Sequence, residues 1–215
     1  MKIQTKKEVV IISDVHINSF SSKKEEFLEI IKELKTDLLI LNGDIFDLHI
    51  DKPSFDLIKI IKENKDIKEY VYILGNHDYD IKKYYPDINI EEFVYLANHK
   101  IKVIHGYQYD FIVSVPSKFG KYITKLRYWF EKTFKVNVKI FLEKYFNIII
   151  NWIYDKAQKK VIEENPDKVI IMSHTHIPKS EYPYYNTGGF VDSVSSYIKV
   201  YIYEDDSFQI VLKEI

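Results

Sequence analysis

Five stretches of aliphatic and β-branched residues in this chain each run straight into residue types that ligate metals. Glu8–Ser13 leads into Asp14-Val15-His16, Leu38–Leu41 into Asn42-Gly43-Asp44, and Tyr70–Leu74 into Gly75-Asn76-His77-Asp78. Ile101–His105 closes on His105-Gly106, and Lys168–Met172 leads into Ser173-His174-Thr175-His176. Short apolar runs bounded by turn residues read as buried strands. In α/β sheets, ligands gather beyond the carboxyl ends of such strands. An isolated aspartate at a strand end is usually a cap or turn residue, and an isolated histidine is usually a surface or core residue. His49 and His99 fall in that second class. Five clusters in succession do not.

Helical patterns separate the early strands. Ser22-Lys23-Lys24-Glu25 has capping-box spacing and predicts a helix with Phe27, Leu28, Ile31 and Leu34 on one face. Pro53–Asn64 predicts another, burying Leu57, Ile58, Ile60 and Ile61. Strand–helix alternation with continuously apolar strands predicts an α/β fold with helix-covered sheets. Tyr197–Tyr203 and Phe208–Leu212, joined by Glu204-Asp205-Asp206-Ser207, predict a closing hairpin.

The character changes between Ser117 and Asn165. Phe119, Tyr122, Ile123, Leu126 and Phe130 share one helical face, and Val138, Phe141, Leu142, Tyr145, Ile149 and Trp152 share another. Gly and Pro are missing from Lys121 to Asn165, and lysines outnumber acids through the first half. Lying between two strand-end motifs, this stretch reads as a helical insertion, residues 117–165, within a single domain of residues 1–215.

Composition supports a globular chain and limits the site chemistry. Hydrophobic residues make up 46% and charged residues 29%, with a formal net charge of −1. No global field therefore recruits nucleic acid or an anionic membrane. With no cysteine, disulfides and thiolate metal sites are excluded, and any metal must take oxygen and imidazole ligands. The run Val9–Ile12 is too short for a signal-peptide core, and no apolar stretch approaches the roughly 18 residues of a membrane span. The expectation is a cytoplasmic protein.

The ligand types point to a dinuclear centre. Two cations roughly 3.5–4 Å apart need a bridging carboxylate, here expected to have both oxygens free, with imidazoles and further oxygens completing each shell. Asp-x-His and His-x-His suit this if the chain is extended, because residues two apart then project to the same side. Gly43 and Gly75 fit turns where backbone crowds the site. Histidine and carboxylate donors without thiolate favour Mn, Fe or Zn over Ca.

The ordered blocks Asp14-x-His16, Gly43-Asp44, Gly75-Asn76-His77-Asp78, His105-Gly106 and His174-Thr175-His176 closely resemble the calcineurin-like metallophosphoesterases, over roughly residues 9–190. The resemblance implies two packed mixed β-sheets flanked by helices. It also implies two divalent metal ions, manganese first, with iron or zinc as alternatives. Asp14, His16 and His176 would hold the first metal, Asp44 would bridge, and Asn76, His105 and His174 would hold the second. His77 matches the family's non-ligand histidine, which touches the phosphate and protonates the leaving oxygen, and Asp78 would orient it.

Within that family, Asn42-Gly43-Asp44-Ile45-Phe46-Asp47 is similar to two branches: the UDP-2,3-diacylglucosamine hydrolases of lipid A synthesis, and the double-strand-break repair nucleases. His105-Gly106-Tyr107-Gln108-Tyr109-Asp110, Asn186-Thr187-Gly188-Gly189-Phe190-Val191-Asp192 and the insertion are similar to the first branch. His77 departs from it, standing where those hydrolases carry Arg. Ser173 stands where the family has Gly, and Tyr107 where relatives have an acidic residue or His. The expected substrate is a phosphorylated small molecule, a nucleotide or a lipid-linked phosphate, cleaved at a diester or pyrophosphate. A nuclease, a phosphomonoesterase and a metal-poor protein-binding scaffold are the alternatives. The insertion is expected to act as a lid over the substrate, with peripheral membrane contact through 117–165 open and single-stranded nucleic acid the less favoured partner. Its competing reading is a helical hairpin with solvated lysines.

Overall fold

The computed structural model describes residues 5–110, 128–129, 132–133 and 138–215, the stretch 138–150 by its backbone alone. Its strands are β1 (Thr5–Ile12), β2 (Thr36–Asn42), β3 (Ile67–Ile73), β4 (Ile90–Glu91), β5 (Phe93–Leu96), β6 (Ile101–Ile104), β7 (Val169–Met172), β8 (Lys179–Glu181), β9 (Tyr184–Asn186), β10 (Ser196–Tyr203) and β11 (Phe208–Glu214). Its α-helices are α1 (Lys24–Glu33), α2 (Leu57–Glu63) and α3 (Val138–Glu163). A six-stranded sheet runs β11-β10-β1-β2-β3-β4 and a five-stranded sheet runs β5-β6-β7-β9-β8. Both are mixed. β1, β2, β3 and β4 pair in parallel while β10 and β11 pair antiparallel, and the parallel β6-β7-β9 core carries antiparallel edges.

The β1 sequence explains the layering. Val9 and Ile11 face the space between the sheets, packing with Leu38, Ile40, Val71 and Ile73 and with Ile101, Val103, Val169 and Ile171 of the second sheet. Val10 and Ile12 point the other way, onto Phe27 and Ile31 of α1 and Leu57, Ile58 and Ile61 of α2. A strand covered on both faces has no place for a polar residue, hence the continuous apolar runs. On the outer face of the second sheet, Val161 of α3 meets Ile104, Ile170, Met172 and Tyr184. This is the α/β architecture of two packed mixed sheets flanked by helices.

Local boundaries differ from the sequence reading in three places. Ser22 does not cap α1. Its hydroxyl donates to the Val15 carbonyl at 2.7 Å, pinning the β1–α1 loop, and the Lys23 cap position has no side-chain bond. α2 starts at Leu57 rather than Pro53, because the Asp56 carboxylate accepts the Lys59 N–H at 3.0 Å and sets the helix start there. Trp152, grouped with the apolar face of the insertion, is 56% exposed. The buried face of α3 runs through Ala157 and Val161, and Trp152 lies outside with Lys156 Nζ 3.7 Å from its ring centre. Of the expected insertion, 138–163 form one helix. The face predicted through Phe119, Tyr122, Ile123, Leu126 and Phe130 lies outside the described residues. No helix among those described is long and apolar enough to cross a membrane.

Candidate metal centre

All five sequence clusters arrive at the carboxyl ends of β1, β2, β3, β6 and β7, and backbone hydrogen bonds lace their loops together. Asp14 N–H donates to the Gly43 carbonyl (3.0 Å), His16 N–H to Asp44 (2.9 Å) and Ile17 N–H to Ile45 (2.9 Å). Ser173 N–H donates to the His105 carbonyl (3.1 Å) and Leu48 N–H to that of His77 (3.1 Å). The Asp-x-His and His-x-His pairs are not extended. Asp14, His16, Asp44, His174 and His176 all have positive φ, 49°, 48°, 54°, 69° and 58°. Non-glycine residues held left-handed are uncommon and cluster at functional sites. Each pair thus reaches one side through tight turns, a correction to the strand-alternation argument.

Two glycines make room for this. A Cβ on Gly43 would lie 2.4 Å from His105 Nδ1, and one on Gly75 would lie 2.0 Å from Asp44 Oδ1. Neither position has space for a side chain.

The side chains assemble into two adjoining groups, Asp14/His16/His176 and Asp44/His105/His174, each with ligand atoms within 4.8 Å of one another. In the first, His176 Nε2 is 3.2 Å from Asp14 Oδ1 and 3.1 Å from His16 Nε2. In the second, His105 Nε2 is 3.4 Å from Asp44 Oδ2. The same Asp44 oxygen lies 3.7 Å from His16 Nε2, so it faces both groups. Its other oxygen is not free, because Oδ1 accepts the His77 backbone N–H at 2.8 Å. Asp44 thus turns one oxygen toward both groups while the other accepts a backbone N–H. Asn76 is buried with its Oδ1 making no hydrogen bond, as are Asp14 Oδ1 and His105 Nε2. Buried, unpaired lone pairs on oxygen and imidazole nitrogen are what an incoming divalent cation requires, so the donor set fits the group that the chemistry implies.

The electrostatics agree. Burial opposes charge on Asp14, but the contact with His176 wins and lowers its pKa to about 2. Burial likewise opposes charge on Asp44, and His105, His77 and His16 together hold it well below the usual carboxylate range. His105 is driven up to about 9: burial disfavours its charge, and Asp44 overrides burial. In the absence of cations, imidazolium protons balance the buried carboxylates, and metal must displace them.

His77 sits beside both groups, yet its partner is not Asp78. The Asp78 carboxylate accepts the Gly75 N–H (2.8 Å), the Ile45 N–H (2.9 Å) and the Tyr72 hydroxyl, so it braces the loops beneath the site. Burial, then the charge of Asp44, raises it to about 6. The partner of His77 is Asp47, with Oδ1 3.1 Å from Nδ1. Burial disfavours a charged His77, but Asp47 and Asp44 outweigh it and lift its pKa to about 9. Adjacency in sequence favoured Asp78. The turn at Gly75–Asp78 directs the two side chains apart, which only the fold shows.

Three further residues escaped assignment. Asp110 Oδ2 lies 3.1 Å from His174 Nε2. Ser173 Oγ lies 2.9 Å from His105 Nδ1, which also contacts the Asn42 carbonyl at 2.8 Å. Asp47 and Asp110 close the two quoted runs that begin at Asn42 and His105, and a search for carboxylates within a few residues of ligand clusters would have found them. His49, set aside in sequence, is buried with its ring 4.7 Å from that of His77. His99 is exposed against Tyr95, as expected of a surface histidine.

Residues 7–186 match the calcineurin-like phosphoesterase family (Metallophos). The chain belongs to that family. A curated relative, endoribonuclease YbeY of Mycoplasmopsis synoviae (strain 53), is 34% identical over 101 residues, covering 46% of this chain. The chain spans 58% of that relative's length. Among solved structures, Vps29 of Chaetomium thermophilum aligns over 99% of this chain and 97% of its own, at TM-score 0.50 and 9% identity. A single mutant of Vps29 from Entamoeba histolytica aligns over 97% and 99%, at TM-score 0.49 and 15% identity. Likeness at such identity concerns the fold alone. Within the calcineurin-like phosphoesterase family, divalent metal ions are implied, and the two buried Asp/His groups are where this chain could hold them.

Proposed function

We propose that this calcineurin-like phosphoesterase is a dinuclear phosphoester hydrolase, acting as a phosphodiesterase or pyrophosphatase on a nucleotide- or lipid-linked phosphate, with Mn the leading metal and Fe or Zn the alternatives. The observation that carries it is the pair of buried groups meeting at one carboxylate oxygen, Asp44 Oδ2. Asp14, His16 and His176 would hold one cation and Asn76, His105 and His174 the other, with Asp44 shared. When bound, two divalent cations lower the pKa of a water and polarise phosphoryl oxygens.

The chain supplies the rest. With Nδ1 of His105 directed at the Asn42 carbonyl, its Nε2 lone pair points into the second group. Asp110 does the same from the other side of the His174 ring. Asp47 faces Nδ1 of His77 and leaves Nε2 for the substrate, where it can hand a proton to the departing oxygen. The Asp44–His77 backbone bond fixes that donor relative to the shared carboxylate.

The test compares bis-p-nitrophenyl phosphate with p-nitrophenyl phosphate in Mn²⁺, with Asp44→Ala as the blank. Diester turnover above monoester, absent in the blank, is expected. Preference for the monoester would move the assignment to phosphomonoesters. No turnover together with sub-stoichiometric metal would leave the metal-poor binding scaffold. For His77→Ala we expect a loss of about 10²–10⁴-fold on an ester with a poor leaving group, and a smaller loss on nitrophenyl esters. Equal losses on both would remove the proton-donor role.

A second reading, hydrolysis of RNA phosphodiesters, is favoured by the 101-residue likeness to a protein named an endoribonuclease. The net charge of −1 gives it no electrostatic support. Single-stranded RNA belongs in the same assay, and cleavage surviving Asp44→Ala would exclude this site as its source.

A further inference from the structure

One cluster beside the centre is not among the residues assigned to the two cations, although Asp47 Oδ2 lies 3.9 Å from Nδ1 of the ligand His16. Asp47 and His49 repeat the Asp-x-His spacing of Asp14 and His16, and with His77 they form a group whose ligand atoms lie within 4.8 Å of one another. Asp47 and His49 are buried and the His77 side chain is only 21% exposed. The loop is fixed by Leu48 N–H on the His77 carbonyl and by Ile50 N–H on that of Asp47, both 3.1 Å. The His49 and His77 rings lie 4.7 Å apart at 37°, with the exposed Tyr79 ring 6.1 Å from His49 on the outer side. Asp47 Oδ1 and His77 Nδ1 are both buried and 3.1 Å apart. Two ligand atoms held this close can also converge on a third body that takes the place of the proton between them.

We propose that Asp47, His49 and His77 form a third divalent-cation site, separate from the dinuclear pair and suited to zinc. Two imidazoles and one carboxylate form a donor set that binds borderline cations such as Zn²⁺ and is poor for Mg²⁺ or Ca²⁺. Three protein ligands and the nearby surface at Tyr79 leave room for water in a fourth position. Filling the site replaces the proton on His77 Nδ1 with the cation and releases that proton to solvent. With Nδ1 on the cation, His77 loses Asp47 as its partner and can no longer act as a charged proton donor through Nε2, so excess zinc slows turnover. This last consequence rests on the proposed function; the binding does not.

The test uses the whole chain stripped of metal and titrated with Co²⁺, followed by its visible d–d absorption, then with Zn²⁺ by calorimetry. Three equivalents are expected to bind to the unaltered chain. In His49→Gln the third should weaken by about 10-fold or more, with the first two unchanged. In the Mn²⁺-loaded protein, added Zn²⁺ should inhibit diester hydrolysis, and His49→Gln should raise the inhibitory concentration by the same factor while retaining its zinc-free rate. Saturation of the unaltered chain at two equivalents overturns the proposal without any variant. So does a His49→Gln protein of unchanged melting temperature that still binds three equally well. Loss of the third equivalent in a chain with no phosphoesterase activity would sink the proposed function and leave this site standing.

Discussion

The two halves of the candidate metal centre differ in depth. His105 is fully buried and held by the Asn42 carbonyl and the Ser173 hydroxyl, while His174 is held by Asp110. In the other half, the His176 side chain is 16% exposed and the His16 and His176 rings meet across 3.1 Å. Outside partners reach both groups, since Asp47 Oδ2 lies 3.9 Å from His16 Nδ1, and the His105 group is the deeper. The other leaves two ring nitrogens facing each other near solvent. The deeper group should bind more tightly and exchange more slowly, and the shallower one should fill last and empty first.

Asp44→Ala should have the largest effect, because both groups share its Oδ2. We expect at least about a 10³-fold loss of kcat, corresponding to several kcal/mol of charge stabilisation, with both metals lost by elemental analysis. Retention of one full equivalent would show that the halves are independent. Asp110→Asn should weaken metal at the deeper group by about 10–100-fold and spare the outer one, read by stepwise titration. Equal weakening of both would break the contrast. Gly75→Ala forces a Cβ onto Asp44 Oδ1 and should lower stability by about 1–3 kcal/mol, with both affinities reduced, measured by urea unfolding and titration.

The smallest effect is on pH dependence without metal. His105 and His77 have folded values of about 9, above the ordinary 6.5. Their contribution is complete below pH 6.5 and is lost as pH rises through 9. The metal-free melting temperature should therefore fall across that window, and added Mn²⁺ should abolish the fall because deprotonated imidazoles bind it better. A flat metal-free profile would mean that the buried carboxylates are not balanced by imidazolium.

What was legible in sequence was chemical identity at strand ends. The Asp and His residues of the two groups were readable, because each follows a buried apolar run and the five clusters come in succession. The means of their convergence was not readable. Positive φ at Asp14 and His16 depends on the loops being laced to Gly43 and Asp44, a contact between segments about 30 residues apart. Side-chain partnership failed for the same reason. Asp78 closes the turn that aims it at Tyr72, and Asp47 reaches His77 only through the fold. Ser22 had the spacing of a cap but found the Val15 carbonyl instead.

That lacing carries a consequence for motion. Because Asp14, His16 and Ile17 donate in order to Gly43, Asp44 and Ile45, the two loops extend the β1–β2 ladder past the ends of the strands. Amide protons at these loop positions should exchange with solvent as slowly as those of the strands, and in a single correlated event. Ligands on such a platform should open only together with it. A cation bound there leaves by ligand exchange with water at the surface, and loop opening contributes only when that whole edge of the sheet comes apart.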